Sequence, residues 1–177
     1  TQKKLLFKND VVSGDLVLGD NFRYYLDYYI DNGFHWSFGF KSRLNQFNRN
    51  ITTDFSDEVL FTDNNISTLN IDFIDFTNQA YMQTLFVQKF LVGGGFEYKR
   101  LKIESETLQN STALFENSDY SSLFGYLKFD SLDNKYFPKS GWSFNGDVQY
   151  YLYSTDYTNS FSRFSIVKAD FSIAQRL

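Results

Sequence analysis

Cysteine is absent from this chain, and proline, histidine and methionine occur once each. Without cysteine there is no disulfide framework and no thiolate metal site. With one histidine, any Ser-His-Asp arrangement depends on His35 alone. No apolar run approaches the roughly 20 residues that a spanning helix needs, so no helical inner-membrane protein is expected. A basic excess is missing too. Lys and Arg number 17 against 21 Asp and Glu, a net charge of −4, and no basic patch argues for a nucleic-acid partner.

What is present is unusual. Aromatic residues make up 20% of the chain, with 21 Phe and 13 Tyr, yet charged residues reach 21% and the mean hydropathy is −0.38. A soluble core of this size rarely needs so many rings. A lipid-facing barrel wall with aromatic girdles and a polar lumen uses both ingredients at once. The alternative is a soluble all-β meander with flexible polar loops.

The pattern sharpens at residues 34–44. Phe34, Trp36, Phe38, Phe40 and Leu44 share one parity, and His35, Ser37, Gly39, Lys41 and Arg43 share the other. Side chains alternate faces along a strand, so the segment has one aromatic face and one polar face. Residues 22–31 repeat this, with Phe22, Tyr24, Leu26, Tyr28 and Ile30 opposed to Arg23, Tyr25, Asp27, Tyr29 and Asp31. Between the two, Asp31-Asn32-Gly33 is a tight-hairpin signal, because Asn and Gly tolerate positive φ. In 142–153, Trp142, Phe144, Val148 and Tyr150 oppose Ser143, Asn145, Asp147 and Gln149. Lipid-facing positions are therefore expected at Phe34, Trp36, Phe38, Phe40, Trp142 and Phe144. Lumen-facing positions are expected at Arg23, Asp27, His35, Lys41 and Arg43.

Predicted strands run at 10–18, 22–31, 34–46, 66–76, 80–90, 92–104, 121–130, 142–153 and 161–174. The phase slips between Phe73 and Ile74, and boundaries between 66 and 92 stay open. A parity change after Tyr98 suggests a bulge near Lys99–Arg100. Long polar stretches at 47–65 and 105–120 contrast with short connections, the loop asymmetry of outer-membrane barrels.

Residues 124–142 carry the sharpest motif. Asp130, Leu132, Asp133, Asn134, Phe137, Pro138 and Gly141 resemble the strand–turn–strand signature of the BamA/TamA superfamily, the bacterial surface antigen barrels of the outer membrane. In physical terms, Pro138 cannot sit inside a central ladder, Gly141 can supply a strained turn, and Asp133 and Asn134 can cap it. Leu18-Gly19-Asp20-Asn21-Phe22-Arg23 and Phe96-Glu97-Tyr98-Lys99-Arg100-Leu101-Lys102 are similar to barrels fused behind a patatin-like phospholipase domain.

The resemblance implies an antiparallel transmembrane β-barrel, here about eight or nine of a usual sixteen strands. The implied role is protein insertion or translocation at a Gram-negative-type outer membrane, or anchoring and export of a fused patatin-like lipase. The implied partners are outer-membrane lipid and client proteins or a fused periplasmic domain, with no cofactor. Three features depart from the family: the strand number, the missing lumen-entering Arg-Gly loop, and the absence of a terminal aromatic after Ala174-Gln175-Arg176-Leu177. With a first residue that is Thr1 rather than Met, residues 1–177 are expected to be one part of a barrel domain truncated at both ends.

Catalytic readings fare poorly. A patatin-like lipase needs Gly-x-Ser-x-Gly, and the nearest match, Gly141-Trp142-Ser143-Phe144-Asn145, ends in Asn. Gly93-Gly94-Gly95 lacks the Lys-Ser/Thr of a phosphate loop and reads as a turn or a crowded strand. Asp54, Asp57, Glu58 and Asp63 lack calcium-loop order and read as a solvated loop. No catalytic, cofactor or metal residue is assigned. A soluble all-β ligand-binding module and a passive porin-type channel remain the rival functions.

Overall fold

The computed structural model describes residues 10–33, 36–52, 68–87, 89–105, 113–134, 136–156 and 160–175, and among them it forms strands and no helix. The strands are β1 (Asp10–Val17), β2 (Phe22–Asp31), β3 (Trp36–Thr52), β4 (Thr68–Phe86), β5 (Phe90–Ser105), β6 (Ala113–Asp130), β7 (Gly141–Ser154) and β8 (Phe164–Ala174). They make one antiparallel sheet in which every strand pairs with the next in sequence. The sheet is not closed, so β1 and β8 are its edges. At the start of the β2–β3 connection Gly33 takes φ 71°, and its N–H donates to Asp31 Oδ1 at 3.0 Å, as the Asp-Asn-Gly signal requires. Phe34 and His35 lie outside the described residues.

Eight strands replace the nine predicted segments, because 66–76 and 80–90 are one strand, β4. Its pairing with β5 is continuous from Ile71 to Phe86. The expected bulge at Lys99–Arg100 is also absent; the register shifts lie instead at Ile103/Glu104 and Ser121/Ser122. Both misreadings have one cause. Near these strand ends the two faces exchange polarity, so Phe73 stacks on Phe47 on the otherwise polar side while Arg100 and Lys102 occupy the otherwise apolar side. An unbroken strand then reads as out of phase. The strands also run further than expected. β3 reaches Thr52 and β6 starts at Ala113, which shortens both predicted loops, and Asp54, Asp57, Glu58 and Asp63 fall outside the described residues.

The pairing register separates two faces across all eight strands. One row aligns Tyr28, Phe40, Ala80, Phe96, Leu123 and Tyr150, and the next aligns Ile30, Phe38, Met82, Gly94, Gly125 and Val148. Trp36, Phe38, Phe40, Met82, Val92, Phe96, Leu123 and Val148 are each between 38% and 49% exposed. Among the described residues the only buried hydrophobic one is Phe129, while Ser42, Thr77, Thr84, Ser105, Ser118 and Ser122 are buried. A soluble sandwich inverts that distribution, since its apolar face must be covered by a second layer.

Candidate functional site

The opposite face carries the polar chemistry, and two glycines shape it. Tyr81 on β4 pairs with Gly39 on β3, and Tyr126 on β6 pairs with Gly93 on β5. A Cβ on Gly39 would lie 2.1 Å from the Tyr81 ring, and one on Gly93 would lie 2.4 Å from the Tyr126 ring. Each ring therefore lies flat across its neighbour's glycine, in space that any other residue would fill. Each hydroxyl then reaches one strand further: Tyr81 Oη donates to Asp27 Oδ1 on β2 at 3.4 Å, and Tyr126 Oη to Gln83 Oε1 on β4 at 2.6 Å. A lysine ammonium stands over each ring, Lys41 at 4.8 Å from the Tyr81 centroid and Lys128 at 5.6 Å from that of Tyr126. The same three-strand staple is thus built twice.

Glu97 lies between them, 7% exposed and near the middle of β5. It accepts from Gln79 Nε2 on β4 at 2.5 Å and from Gln149 Nε2 on β7 at 2.6 Å, and Gln149 also donates to Ser122 Oγ on β6 at 3.0 Å. A buried carboxylate must be hydrogen-bonded to be tolerated, and here its donors tie four strands together. Towards one strand end, Asp75 takes Arg43 at 3.5 Å and Lys99 at 3.6 Å, and accepts a hydrogen bond from Thr77 Oγ1 at 3.0 Å.

Of the expected polar-face residues, Asp27, Lys41 and Arg43 fall in these networks, with Asp27 directly opposite Lys41. Arg23 is exposed and lines a separate hollow with Asn21, Asn45 and Asn48. His35 lies outside the described residues. Trp36, Phe38, Phe40, Trp142 and Phe144 share the ring-rich face. The sequence marks Gly39 and Gln149 only as polar-parity positions and Glu97 only within a family segment, and it does not point to Gln79, Tyr81 or Tyr126. The signal of the two staples is a Gly facing a Tyr on the next strand, which is invisible until the register is known. The Gly93–Gly95 run is crowded strand: a Cβ on Gly95 would meet Ala80 O, and one on Gly94 would meet Phe124 O.

The β6–β7 turn holds the predicted motif. Asp130 Oδ1 accepts from Leu132 N at 2.9 Å; Asn134 Oδ1 accepts from Tyr136 N at 2.9 Å and Phe137 N at 3.3 Å. Asp133 Oδ1 accepts from Lys139 N at 2.8 Å and Ser140 N at 3.1 Å. Those two N–H groups hold the Asp133 carboxyl below its ordinary value. Gly141 has φ 107°, and a Cβ there would collide with Ser131 O. Beside the turn Phe90, Phe129, Trp142 and Phe171 form a run of rings on the apolar face, with successive centroids 4.4, 3.9 and 6.0 Å apart.

Among the described residues no group of three or more His, Cys, Asp or Glu could hold a metal ion. No curated protein and no solved structure gives a significant match to the chain. A family model described as the OMP85 superfamily matches residues 1–177. Members of that superfamily are outer-membrane proteins of Gram-negative bacteria and organelles, concerned with protein insertion and translocation and generally without enzymatic activity. The match spans the whole sequence and accords with an all-β sheet of antiparallel strands, so this chain belongs to the OMP85 superfamily, the group of BamA/TamA-type barrels.

Proposed function

We propose that this sheet is part of the wall of a larger outer-membrane β-barrel, and that the barrel inserts or translocates proteins across that membrane. The ring-rich face meets lipid, and the polar face lines a watery lumen. One observation carries the reading: the height of the apolar belt. Along β5 its outward residues are Phe90, Val92, Gly94, Phe96 and Tyr98, followed by Arg100 and Lys102. Phe90 to Tyr98 is roughly the nine residues that a tilted transmembrane strand needs. Arg100 pairs with Asp119 at 3.8 Å and Lys102 with Glu104 at 2.9 Å, a charged rim at one border, while the ring cluster by the β6–β7 turn marks the other. On this reading Trp36, Phe38, Phe40, Trp142 and Phe144 touch acyl chains, and Arg23, Asp27, Lys41 and Arg43 touch water.

A second role, anchoring and export of a fused patatin-like phospholipase, is favoured by Leu18–Arg23, which joins β1 to β2, and by Phe96–Lys102 within β5. Deletion of the gene separates the two. Depletion of other barrel proteins from outer membranes supports insertion, and a phospholipase activity retained inside the envelope supports export. Ion conductance with neither defect would leave a passive channel and overturn both roles. Recovery of the full-length protein in the aqueous phase without detergent would overturn the membrane reading itself.

A further inference from the structure

Two short connections at one end of the sheet abut each other. The first joins β4 to β5 and is closed by Lys89 N donating to Phe86 O at 3.1 Å. The second joins β6 to β7, and Asp130 N at its start donates to Lys89 O at 3.2 Å. Each connection carries a strongly exposed apolar residue, Val87 at 82% in the first and Phe137 at 80% in the second. Each of these is followed two positions later by a lysine, Lys89 and Lys139. Both lysines are exposed, and among the described residues neither ammonium has a carboxylate within ion-pair distance.

Neither apolar group sits where water alone would put it. Val87 takes φ 50°, a left-handed angle that a β-branched residue tolerates poorly and that Gly or Asn adopts readily. Phe137 is held by its backbone, whose N–H donates to Asn134 Oδ1 at 3.3 Å, and just beyond it Lys139 N donates to Asp133 Oδ1 at 2.8 Å. Backbone strain at one tip and fixed exposure at the other are costs that water does not offset. An apolar medium beside the turns does. On the ring-rich face the residues next to these turns are Phe86, Phe90, Phe129 and Trp142, with Phe86 paired to Phe90 and both Phe90 and Trp142 packed on Phe129. Val87 is thus the first residue past the last row of rings, one strand step of about 3.3 Å beyond Phe86.

We propose that these two turns seat in the headgroup layer of the leaflet at their end of the sheet. Val87 and Phe137 enter the border of the hydrocarbon, while Lys89 and Lys139 reach lipid phosphates. Apolar tips favour that depth, and lysine stems carry their charge outward to anionic headgroups. A phospholipid surface fits better than a protein partner, because the turns continue the cluster of rings that borders the apolar belt. Such seating rests on the lipid-facing reading proposed above.

Depth-resolved fluorescence quenching tests it, on the full-length protein in nanodiscs of phosphatidylcholine and phosphatidylglycerol. A nitrobenzoxadiazole dye is attached at Val87→Cys, at Phe137→Cys or, as the belt reference, at Phe96→Cys. Nitroxides on the headgroup or deep on the acyl chain and aqueous iodide serve as quenchers. The dyes at 87 and 137 should be quenched most by the headgroup nitroxide, and the dye at 96 by the deep one. Charge reversal by Lys89→Glu with Lys139→Glu should lower headgroup quenching at both tips at least about twofold. Iodide quenching at 87 and 137 as strong as for free dye overturns the proposal. So does protection from all three quenchers, which places protein over the turns, and so does headgroup quenching unmoved by charge reversal. Should the double variant fail to assemble, equal headgroup quenching of the single-label proteins in nanodiscs of phosphatidylcholine alone overturns it instead. If the dye at 96 also escapes the lipid nitroxides, the lipid-facing reading itself fails.

Discussion

Gly141 carries φ 107° at the first position of β7, with no room for a methyl group against Ser131 O. Both the backbone angle and the contact oppose any L side chain, so Gly141→Ala should cost more than about 1 kcal/mol in urea unfolding of the assembled protein. A ring-face glycine of ordinary φ such as Gly125, whose Cβ would meet nothing closer than 3.5 Å, should accept alanine with a smaller change. Asp133 gives a pH-dependent counterpart in the same turn. Its folded carboxyl lies below the ordinary 3.8 because Lys139 N–H and Ser140 N–H bond the ionised form. A depressed folded value means stabilisation that is fully present above the unfolded value and lost as pH falls through the folded one. Wild type should therefore be more stable than Asp133→Ala near neutrality, and the difference should shrink below about pH 4. Parallel unfolding midpoints of the two proteins across that range would refute this. These residues were legible beforehand as a motif because turn chemistry is local, set by Asp, Asn, Pro and Gly within a dozen positions.

Strands sort their side chains by parity, and β3 offers the cleanest comparison. Phe38 stands in a row with Ile30 and Met82 on the apolar face, while Lys41 stands on the other face over Tyr81. On the lipid-facing reading, Phe38→Arg places a cation within hydrocarbon and should cost about 2–4 kcal/mol near the midplane, enough to deplete heat-modifiable protein in membranes. Lys41→Ser removes one cation–π contact from a wet face and should cost less than about 1 kcal/mol. Equal depletion by both would reverse the assignment of faces. The alternation of β2, β3 and β7 was readable because both faces there keep one polarity along most of the strand. β4 and β5 were misread because polarity crosses over near their ends. Register was unreadable for a different reason: Gly39 lies under Tyr81 only because two strands separated by a long connection align at that pair, and no local rule supplies such an alignment.

For the molecule as a whole, the eight-stranded sheet presents two edges, β1 and β8, and among the described residues no neighbouring strand pairs with the outer row of backbone groups of either. Hydrocarbon offers no water to replace those partners, and each unsatisfied group there costs several kcal/mol. Residues 1–177 expressed alone should therefore yield no heat-modifiable, membrane-extracted species. A stable folded monomer of that segment in lipid vesicles would contradict the part-of-a-larger-barrel reading. Fold class was legible at this scale because aromatic excess, low mean hydropathy and repeated alternation act together. A hollow on the polar face was not, since Leu101, Tyr120, Tyr151 and Phe164, which line it, come from four strands and meet only through pairing.

The 19 residues of β4 exceed the roughly 10 that a bilayer demands. On the lipid-facing reading the surplus, about nine residues, adds roughly 30 Å of hydrogen-bonded ladder, about 20 Å of height at a 45° tilt, beyond the lipid. The far ends of β3 and β4, where Asn50 pairs with Asn70, are thereby hoisted on stilts well clear of the headgroups. A fluorophore attached at position 50 would then report from a plane far outside the leaflet, indifferent to quenchers dissolved in it.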